Sequence, residues 1–330
     1  MRASISVVCL CGALACRPAA PTKGPAPTLA SDPVSTPAPV PEPEPEPEPT
    51  PPPRADSYTR LLPPSIQIVL GADIRGLQHT KTWNEAKEDF TAAASEYLEA
   101  FETCNLGPET WNAALVGFSE SDGPDPTLVM VLSATGVGTP ETMACFATEN
   151  SKREDTDWKP SPDGFGYVGK NAAMLPVDPN AMAVVSPDVA EQVRARIEQG
   201  GPSALEGPLR IAATRIDTSQ HLWVVGVPPE ETELTTGVLL RNFSASVDLT
   251  YGIRYFVALG VDDPGAANTT RDFFTSQLDG IAGMTTGLGV PPEVMERVEI
   301  SVMGNATTIS GMATADELEQ IQQAIEAMDL

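Results

Sequence analysis

The sequence predicts an α+β protein in which two tandem two-layer units follow a disordered, proline-rich tether. Fifteen of the 33 prolines lie between Arg17 and Asp56, so this segment cannot bury enough apolar surface to fold. Downstream, apolar residues alternate in short segments typical of strands and recur every three or four residues in longer segments typical of helices. Short turns join neighbouring strand segments, which favours antiparallel sheets with helices on one face over a doubly wound α/β sheet.

The composition indicates a chain that can fold and disfavours one class of partner. The chain has 330 residues, of which 41% are hydrophobic and 20% charged, so the part after the tether is long enough to bury a core. The whole chain carries 45 acidic and 20 basic side chains, which gives a net charge of −25. Nucleic acid binding needs a basic surface, so we expect no nucleic acid partner.

The first unit is predicted over residues 65–233. Residues 66–70 alternate as a strand does, and a long helix follows with an apolar stripe from Trp83 to Cys104 and a capping box of Thr82 and Glu85. Further helices are predicted after Thr139-Pro140 and after Asp188, the latter ending at Gly200-Gly201. Further strands are predicted at residues 113–119, 128–133, 164–168, 181–185, 209–216 and 221–227.

The second unit is predicted over residues 234–330 with the element order ββαββα. Residues 243–249 and 253–261 alternate on either side of a Tyr251-Gly252 turn, as in an antiparallel hairpin with one solvated face. A helix follows at residues 269–282, and a second hairpin turns at Gly304-Asn305. Thr314 and Glu317 form a capping box, which predicts a last helix after residue 314.

The N-terminus predicts export. Residues 5–15 form an apolar stretch shorter than the about 20 residues of a transmembrane helix, so residues 1–15 are predicted to be a signal peptide. The stretch ends in Gly12-Ala13-Leu14-Ala15-Cys16, which resembles the lipobox of bacterial lipoproteins. The resemblance implies that Cys16 is diacylated and becomes the mature N-terminus. Cleavage of an ordinary secretory signal nearby is the alternative.

In the same family, the residue after the lipidated cysteine influences the membrane to which the lipoprotein is sorted. Arg17, rather than Asp, follows Cys16. In the Gram-negative branch of that family this implies transfer to the outer membrane, so the resemblance places the protein in the cell envelope. It also implies a membrane contact through the lipid anchor, which is firm when several acyl chains are present.

Residues 16–64 are predicted to form the tether. Its centre, residues 41–49, alternates Pro and Glu, which favours an extended polyproline II conformation of about 3.1 Å per residue. At full extension the tether could reach on the order of 150 Å. The folded part could therefore act well away from the membrane.

A wider similarity extends from Ile66 to the C-terminus. It rests on the segment Ala181-Met182-Ala183-Val184-Val185-Ser186, a helix through Val193 and Ile197, the segment Gly201-Pro202-Ser203-Ala204-Leu205, and the segment Leu222-Trp223-Val224-Val225-Gly226-Val227-Pro228. These segments resemble uncharacterised exported proteins and lipoproteins of bacteria, common in myxobacteria, that carry two α+β units in tandem. That family has no assigned catalytic residues, so the resemblance implies an architecture and no active site.

The sequence predicts no catalytic residue, cofactor or metal site. Residues 164–171 satisfy Gly-x-Gly-x-x-Gly and nearly match a P-loop, but Asn171 replaces the Ser or Thr that holds magnesium. Pro176 and Pro179 prevent the long helix whose N-terminus would bind phosphate, so a strand containing glycines is the preferred interpretation.

The remaining polar residues give weaker signals. His79 and His221 are the only histidines, and neither lies in a hydrolase motif. Asp155, Asp157 and Asp163 resemble a calcium loop only weakly, because Pro160 stands where that loop needs Gly. A weak calcium site stays an open alternative. The acidic segments at Glu230, Glu231 and Glu233 and at Asp262-Asp263 are typical of solvated turns.

Cys104 and Cys145 are the cysteines that remain once Cys9 and Cys11 leave with the signal peptide and Cys16 is acylated. In an oxidising compartment two such thiols pair if their geometry permits. Both lie in predicted helices over one face of a sheet, so we expect a Cα separation of roughly 4.4–6.8 Å and a disulfide. Two buried free thiols are the alternative.

Two functional hypotheses follow. The first is a non-catalytic envelope lipoprotein that binds or scaffolds an unknown protein or envelope polymer at the end of its tether. The second is a lipid-anchored solute-binding protein or hydrolase with its site between the two units. A pocket lined by converging polar groups would favour the second hypothesis, whereas a filled, dry junction would count against it.

Overall fold

The computed structural model describes residues 53–84, 87, 98–120, 126–154, 157–229, 232–287 and 290–326. All of these residues belong to one compact unit. The predicted signal peptide, Cys16 and the Pro-rich residues 17–52 lie outside the described residues. No helix in the described part is long and apolar enough to cross a bilayer.

The described residues contain twelve strands. They are β1 (Ile68–Ala72), β2 (Trp111–Ser119), β3 (Thr127–Ala134), β4 (Lys159–Pro160), β5 (Tyr167–Val168), β6 (Ala173–Asp178), β7 (Ala181–Val185), β8 (Leu222–Gly226), β9 (Asn242–Asp248), β10 (Gly252–Gly260), β11 (Glu299–Met303) and β12 (Ala306–Thr314). They pair in one continuous antiparallel sheet in the order β11-β12-β10-β9-β8-β1-β2-β3-β7-β6-β5-β4.

Helices are interspersed with the strands, so the fold is α+β as predicted. They are α1 (Ile74–Gln78), α2 (Pro140–Glu154), α3 (Ala190–Gln199), α4 (Arg210–Ala213), α5 (Pro264–Gly287), α6 (Pro292–Glu296) and α7 (Ala315–Glu326). Short 3₁₀ helices occur at Ala55–Leu61, Pro108–Thr110 and Ala204–Glu206. Residues 81–84 and 98–103 are helical as well.

The predicted boundary between two units, at residues 233 and 234, falls between β8 and β9. These two strands pair directly, with Leu222 opposite Val247 and Gly226 opposite Phe243. The strands of both predicted halves therefore build one sheet, where the sequence predicted a sheet for each. Alternation identifies a strand, but it does not identify the strand's neighbour.

The sheet has two faces, which differ in what covers them. The front face carries Leu70 and its partner Val116, and the back face carries Val69 and Leu115, since ladder partners direct their side chains to the same side. The large back core contains Val69, Leu115, Val129, Val131 and Val225 from the strands, with Leu61, Leu62, Val193, Leu209 and Ala212 from the covering helices.

The back core corrects the predicted end of the tether at residue 64. Leu61 and Leu62 are 1% and 0% exposed, and the 3₁₀ helix Ala55–Leu61 packs on β2. The folded part therefore begins about ten residues earlier than predicted. Prolines lie on both sides of this short apolar segment, so the composition of the region as a whole resembles that of the tether.

One end of the front face has its own core. Helical residues 98–103 and α2 cover β3, β7 and β6 there, and the ring of Phe101 lies 4.6 Å from that of Phe146. Cys104 and Cys145, which the sequence predicted to pair, form a disulfide with a Cα–Cα distance of 5.8 Å. The bridge joins Cys104, directly after helical residues 98–103, to α2 over the sheet.

The other end of the front face is covered by α5, α6 and α7, and the order ββαββα is confirmed apart from the short α6. The Thr307 hydroxyl donates to the carbonyl of Ala267 in α5 at 2.8 Å. The predicted capping box is present, because the N–H of Thr314 donates to Glu317 at 2.8 Å and the N–H of Glu317 donates to the Thr314 hydroxyl at 3.3 Å.

Two local predictions are wrong, and strand β6 was missed. Residues 209–216 contain helix α4 and not a strand, since Leu209 and Ala212 are both buried at a spacing that also fits one helical turn. Asp188 does not cap α3, because its carboxylate accepts from the Thr127 hydroxyl at 2.7 Å instead. Strand β6 was not predicted because it contains Pro176, which sits next to an irregularity of the ladder.

One cap prediction and one turn prediction at other helices are also revised. The helix predicted from Thr82 is capped by Thr80, whose hydroxyl accepts from the N–H of Trp83 at 3.1 Å; Glu85 lies outside the described residues. Asp263, predicted to lie in a solvated turn, caps α5 by accepting from the N–H groups of Gly265 and Ala266 at 2.7 and 3.0 Å.

Removing the disulfide by replacing both Cys104 and Cys145 with alanine should lower the free energy of unfolding by about 3–4 kcal/mol. The bridge spans a sequence separation of 41 residues, and it restricts the unfolded chain accordingly. Urea denaturation measures the difference, and the unmodified protein in excess reductant is the matched control. An unchanged urea midpoint in the double variant would contradict the prediction.

Replacing Glu317 with Gln should make the stability less dependent on acid pH. Burial works to raise the pKa of Glu317, but hydrogen bonds from Thr314 and Arg297 outweigh it and hold the pKa below its ordinary value of 4.5. Its stabilising effect is therefore present above pH 4.5 and is lost as the pH falls through the lower folded-state pKa.

At pH 7 we expect Glu317→Gln to cost about 1 kcal/mol, with the difference shrinking in acid. Thermal unfolding between pH 3 and pH 7 measures it. Glu319→Gln, on the exposed side of the same helix, is the control and should show no such convergence. A constant difference at all pH values would contradict the assignment.

Candidate functional site

The middle of the front face lies between the two groups of helices. There β9, β8, β1 and β2 present apolar side chains, and the strip continues onto β3 at Met130. Leu70, Met130 and Leu222 are 42%, 38% and 37% exposed on this strip. Contiguous exposed apolar surface of this kind marks an interaction site more often than isolated exposed residues do.

A cavity of about 260 Å³ lies on this strip. Each of the four strands contributes two or three of its lining residues, which are Leu70, Gly71, Ala72, Ala114, Val116, Leu222, Trp223, Val224, Ala245 and Val247. The ladder explains the set, because Leu70 pairs with both Val116 and Val224, and Leu222 pairs with both Ala72 and Val247. The floor of the cavity is therefore a flat patch of aliphatic side chains.

A second cavity of about 360 Å³ adjoins the first at the end of β1. It is lined by Ala72, Ile74, Leu77, Thr82, Trp83, Trp111, Leu222 and Leu249. Ala72 and Leu222 belong to both cavities, so the two are adjacent. We refer to the two cavities and these lining residues together as the groove.

The groove was not predicted, although the sequence contained a signal for it. Strands β1 (Ile-Val-Leu-Gly-Ala) and β8 (Leu-Trp-Val-Val-Gly) are apolar at every position, whereas a strand with one solvated face alternates. Such a run indicates a strand that contacts apolar groups on both faces. In this structure the back face of both strands is buried, and the front face lines the groove.

His221 and Asp248 lie next to Leu222 and Leu249 in the chain and are held by internal contacts. The His221 Nδ1 atom accepts from the N–H of Leu249 at 3.0 Å and lies 3.3 Å from the Asp248 carboxylate. Burial works to raise the pKa of Asp248, but hydrogen bonds from Thr250 and the positive charge of Arg254 lower it overall. These contacts fix the β9–β10 turn beside the groove.

A separate polar cleft of about 310 Å³ lies on the back face between the segment after α4 and strands β9, β10 and β12. Its lining includes Arg215, Asp217, Ser246, Asp248, Arg254 and Ser310. Arg215 donates to the side-chain oxygens of Asn242 and Asn305, and burial lowers its pKa.

Asp217 in the same cleft is engaged as well. It accepts from the N–H of Ser219 at 2.8 Å and from Gln220 at 2.9 Å, and the Ser219 hydrogen bonds lower the pKa of its carboxyl. Both Arg215 and Asp217 therefore have partners within the protein. The cleft holds polar groups, but Arg215 and Asp217 already hydrogen-bond to other residues of the protein.

The sequence-predicted motifs do not converge on one site. The glycine-containing segment at residues 164–171 includes the short strand β5 and a turn closed by the N–H of Gly169 and the carbonyl of Ala172, and strand β6 follows where a P-loop needs a helix. The preferred interpretation as a strand is thus confirmed at Tyr167–Val168.

The aspartates of the weak calcium signal have other partners. Asp163 is ion-paired with Arg194 and accepts from the N–H of Phe165 at 3.0 Å, while Asp157 pairs with Lys159 at 2.6 Å. Asp155 lies outside the described residues. Among the residues that the structure describes, no three His, Cys, Asp or Glu side chains cluster in a way that could hold a metal ion.

Comparison with known proteins adds little to this description. No protein-family model matches the sequence, and no curated protein is significantly similar to it. Among solved structures, crystal form I of TP0453 aligns with 81% of this chain and 96% of its own, at 11% sequence identity and a TM-score of 0.46. A similarity this distant supports no conclusion about function, so the groove is interpreted from its own residues.

Proposed function

We propose that this protein is a non-catalytic lipoprotein of the cell envelope that binds an apolar partner or ligand in the groove. The observation that carries the proposal is the lining of the groove, which contains no ionisable side chain among the described residues. Proton transfer and nucleophilic attack need such groups, whereas binding of apolar surface needs only water-excluding walls.

The predicted anchor supports the same function. A lipid on Cys16 would attach the protein to the membrane, in the outer membrane if Arg17 directs sorting as the lipobox resemblance implies. The Pro-rich tether would then let the folded part reach an envelope protein, polymer or lipid. A net charge of −25 disfavours nucleic acid as a partner.

A solute-binding or hydrolytic function is the second candidate, and the polar cleft on the back face is the observation that favours it. The cleft lies between residues of the two sequence halves, where such a site was expected. Arg215 and Asp217 already form hydrogen bonds within the protein. This counts against the second candidate, because fewer of their donor and acceptor atoms remain for a ligand.

Nile red, an uncharged apolar dye, should bind to the folded protein in the groove, with a blue shift and an increase in its emission. Leu222→Asp should weaken this binding by about 30-fold, because Leu222 lines both cavities and an aspartate would be desolvated by the dye. Fluorescence titration measures the affinity.

The matched control is Met303→Asp, which places the same charge at an exposed apolar residue of strand β11. It should bind the dye as the parent protein does. Equal binding by the parent and Leu222→Asp would show that the dye binds elsewhere and would remove the groove from the proposed function.

Lipidation at Cys16 should be detectable in growing cells with an alkyne-tagged fatty acid. The parent protein should incorporate the label and fractionate with membranes, and Cys16→Ser should lose both properties. Cys11→Ser is the matched control, since no small residue directly precedes Cys11. Label retained by Cys16→Ser would refute the predicted anchor without affecting the dye experiment.

A further inference from the structure

We propose that the groove binds one acyl chain of a zwitterionic membrane lipid, with the hydrocarbon lying through both cavities. The inference rests on the proposed function and extends it, since it names the ligand of the groove. Three properties of the groove support this choice: its shape, the chemistry of its walls and its place next to the start of the folded part.

The shape of the groove suits a long, narrow ligand. The first cavity crosses four strands, which at a spacing of about 4.8 Å places its ends about 14 Å apart. The second cavity adjoins it at Ala72 and Leu222 and reaches Ile74 and Leu77 of α1. A single hydrocarbon chain laid across the strands would contact both cavities.

The walls of the groove recognise hydrocarbon along its whole length. Among the described lining residues, Thr82 is the only one with a side-chain hydroxyl, and the remainder are aliphatic or aromatic apart from Gly71. Ligand pockets usually add a few converging polar groups that orient polar parts of the ligand. A groove without them fits a ligand segment that has no polar part.

The net charge of the protein favours one class of lipid headgroup. The protein carries a net charge of −25, and that field repels anionic molecules at its surface. The polar end of the ligand must leave the uncharged groove and face this acidic surface. A zwitterionic headgroup meets that requirement better than a phosphatidylglycerol headgroup or the carboxylate of a free fatty acid.

The place where the folded part begins favours a membrane as the source. Arg54 forms an ion pair at 3.3 Å with Asp73, the residue that follows Ala72 of the groove. Residues 17–52 separate Cys16 from this point, a distance of at most about 110 Å at 3.1 Å per residue. A protein anchored through Cys16 thus keeps the groove within reach of a bilayer rich in acyl chains.

The experiment uses the full chain after residue 15 with Cys16→Ser, so that its outcome does not depend on lipidation. The protein is incubated with phosphatidylcholine vesicles that contain lysophosphatidylcholine whose single acyl chain carries bromine, and is then separated from them by flotation. We expect one lipid per protein by mass spectrometry. We also expect quenching of tryptophan fluorescence, since Trp83 and Trp111 line the second cavity.

Chain length and groove variants give the quantitative test. With lysophosphatidylcholines, the affinity should rise about fourfold per methylene until the groove is filled. Leu222→Asp should reduce binding by about 30-fold, and Met303→Asp should leave it unchanged. If Leu222→Asp does not fold, Leu70→Asp replaces it, since Leu70 also lines the groove and is 42% exposed.

Several results would overturn the inference. They are the absence of retained lipid, equal retention by the groove variant, flotation of the protein with the vesicles, or tighter binding of phosphatidylglycerol than of phosphatidylcholine. If Nile red binds in the groove and lipid does not, the acyl ligand is wrong and the binding function stands. If neither binds, the proposed function fails as well.

Discussion

Strand β1 is hydrogen-bonded to β8 on one side and to β2 on the other, and this central ladder organises the rest of the sheet. The close contact of Gly71 with Trp223 makes the pairing possible. A Cβ atom at Gly71 would lie 2.1 Å from the Trp223 indole, so any larger residue would force the ring away. With glycine there, the indole lies over the backbone of β1 and the back core forms around it.

The two faces of this ladder are covered by different elements. On the back face, helices from the first half of the chain bury the central strands, and even Leu61 and Leu62 join that core. On the front face, most of the described helices lie at the two ends, where the Cys104–Cys145 disulfide and the Thr314–Glu317 capping box hold them. The apolar middle between these ends forms the groove.

A binding function fits this arrangement better than catalysis does. The groove is lined by apolar side chains and carries no ionisable group on its described walls, whereas the polar groups Arg215 and Asp217 of the back-face cleft are engaged by neighbouring residues. The acidic surface and the long tether are compatible with a molecule that works near a membrane. Its charge would keep the protein soluble and deter anionic partners.

The sequence by itself determined the α+β class, the ββαββα order of the second half, the α2 N-cap, the terminal capping box and the cysteines that pair. Each depends on residues close together in the chain or, for the disulfide, on elimination among five cysteines. Periodicity over a few residues is enough to identify a strand or a helix, and a cap needs only four residues.

Only the tertiary structure decided which strands are neighbours, and with that the groove. The pairing of β8 with β9 joined the two predicted sheets, and the groove takes residues from β1, β2, β8 and β9, which lie between Leu70 and Val247 and so span more than 170 positions of the chain. Within residues 209–216, Arg210–Ala213 form helix α4, which packs on β9, although the local pattern fitted a strand as well. Alternation reports that a strand has an apolar face, but which apolar faces are covered depends on contacts between distant segments.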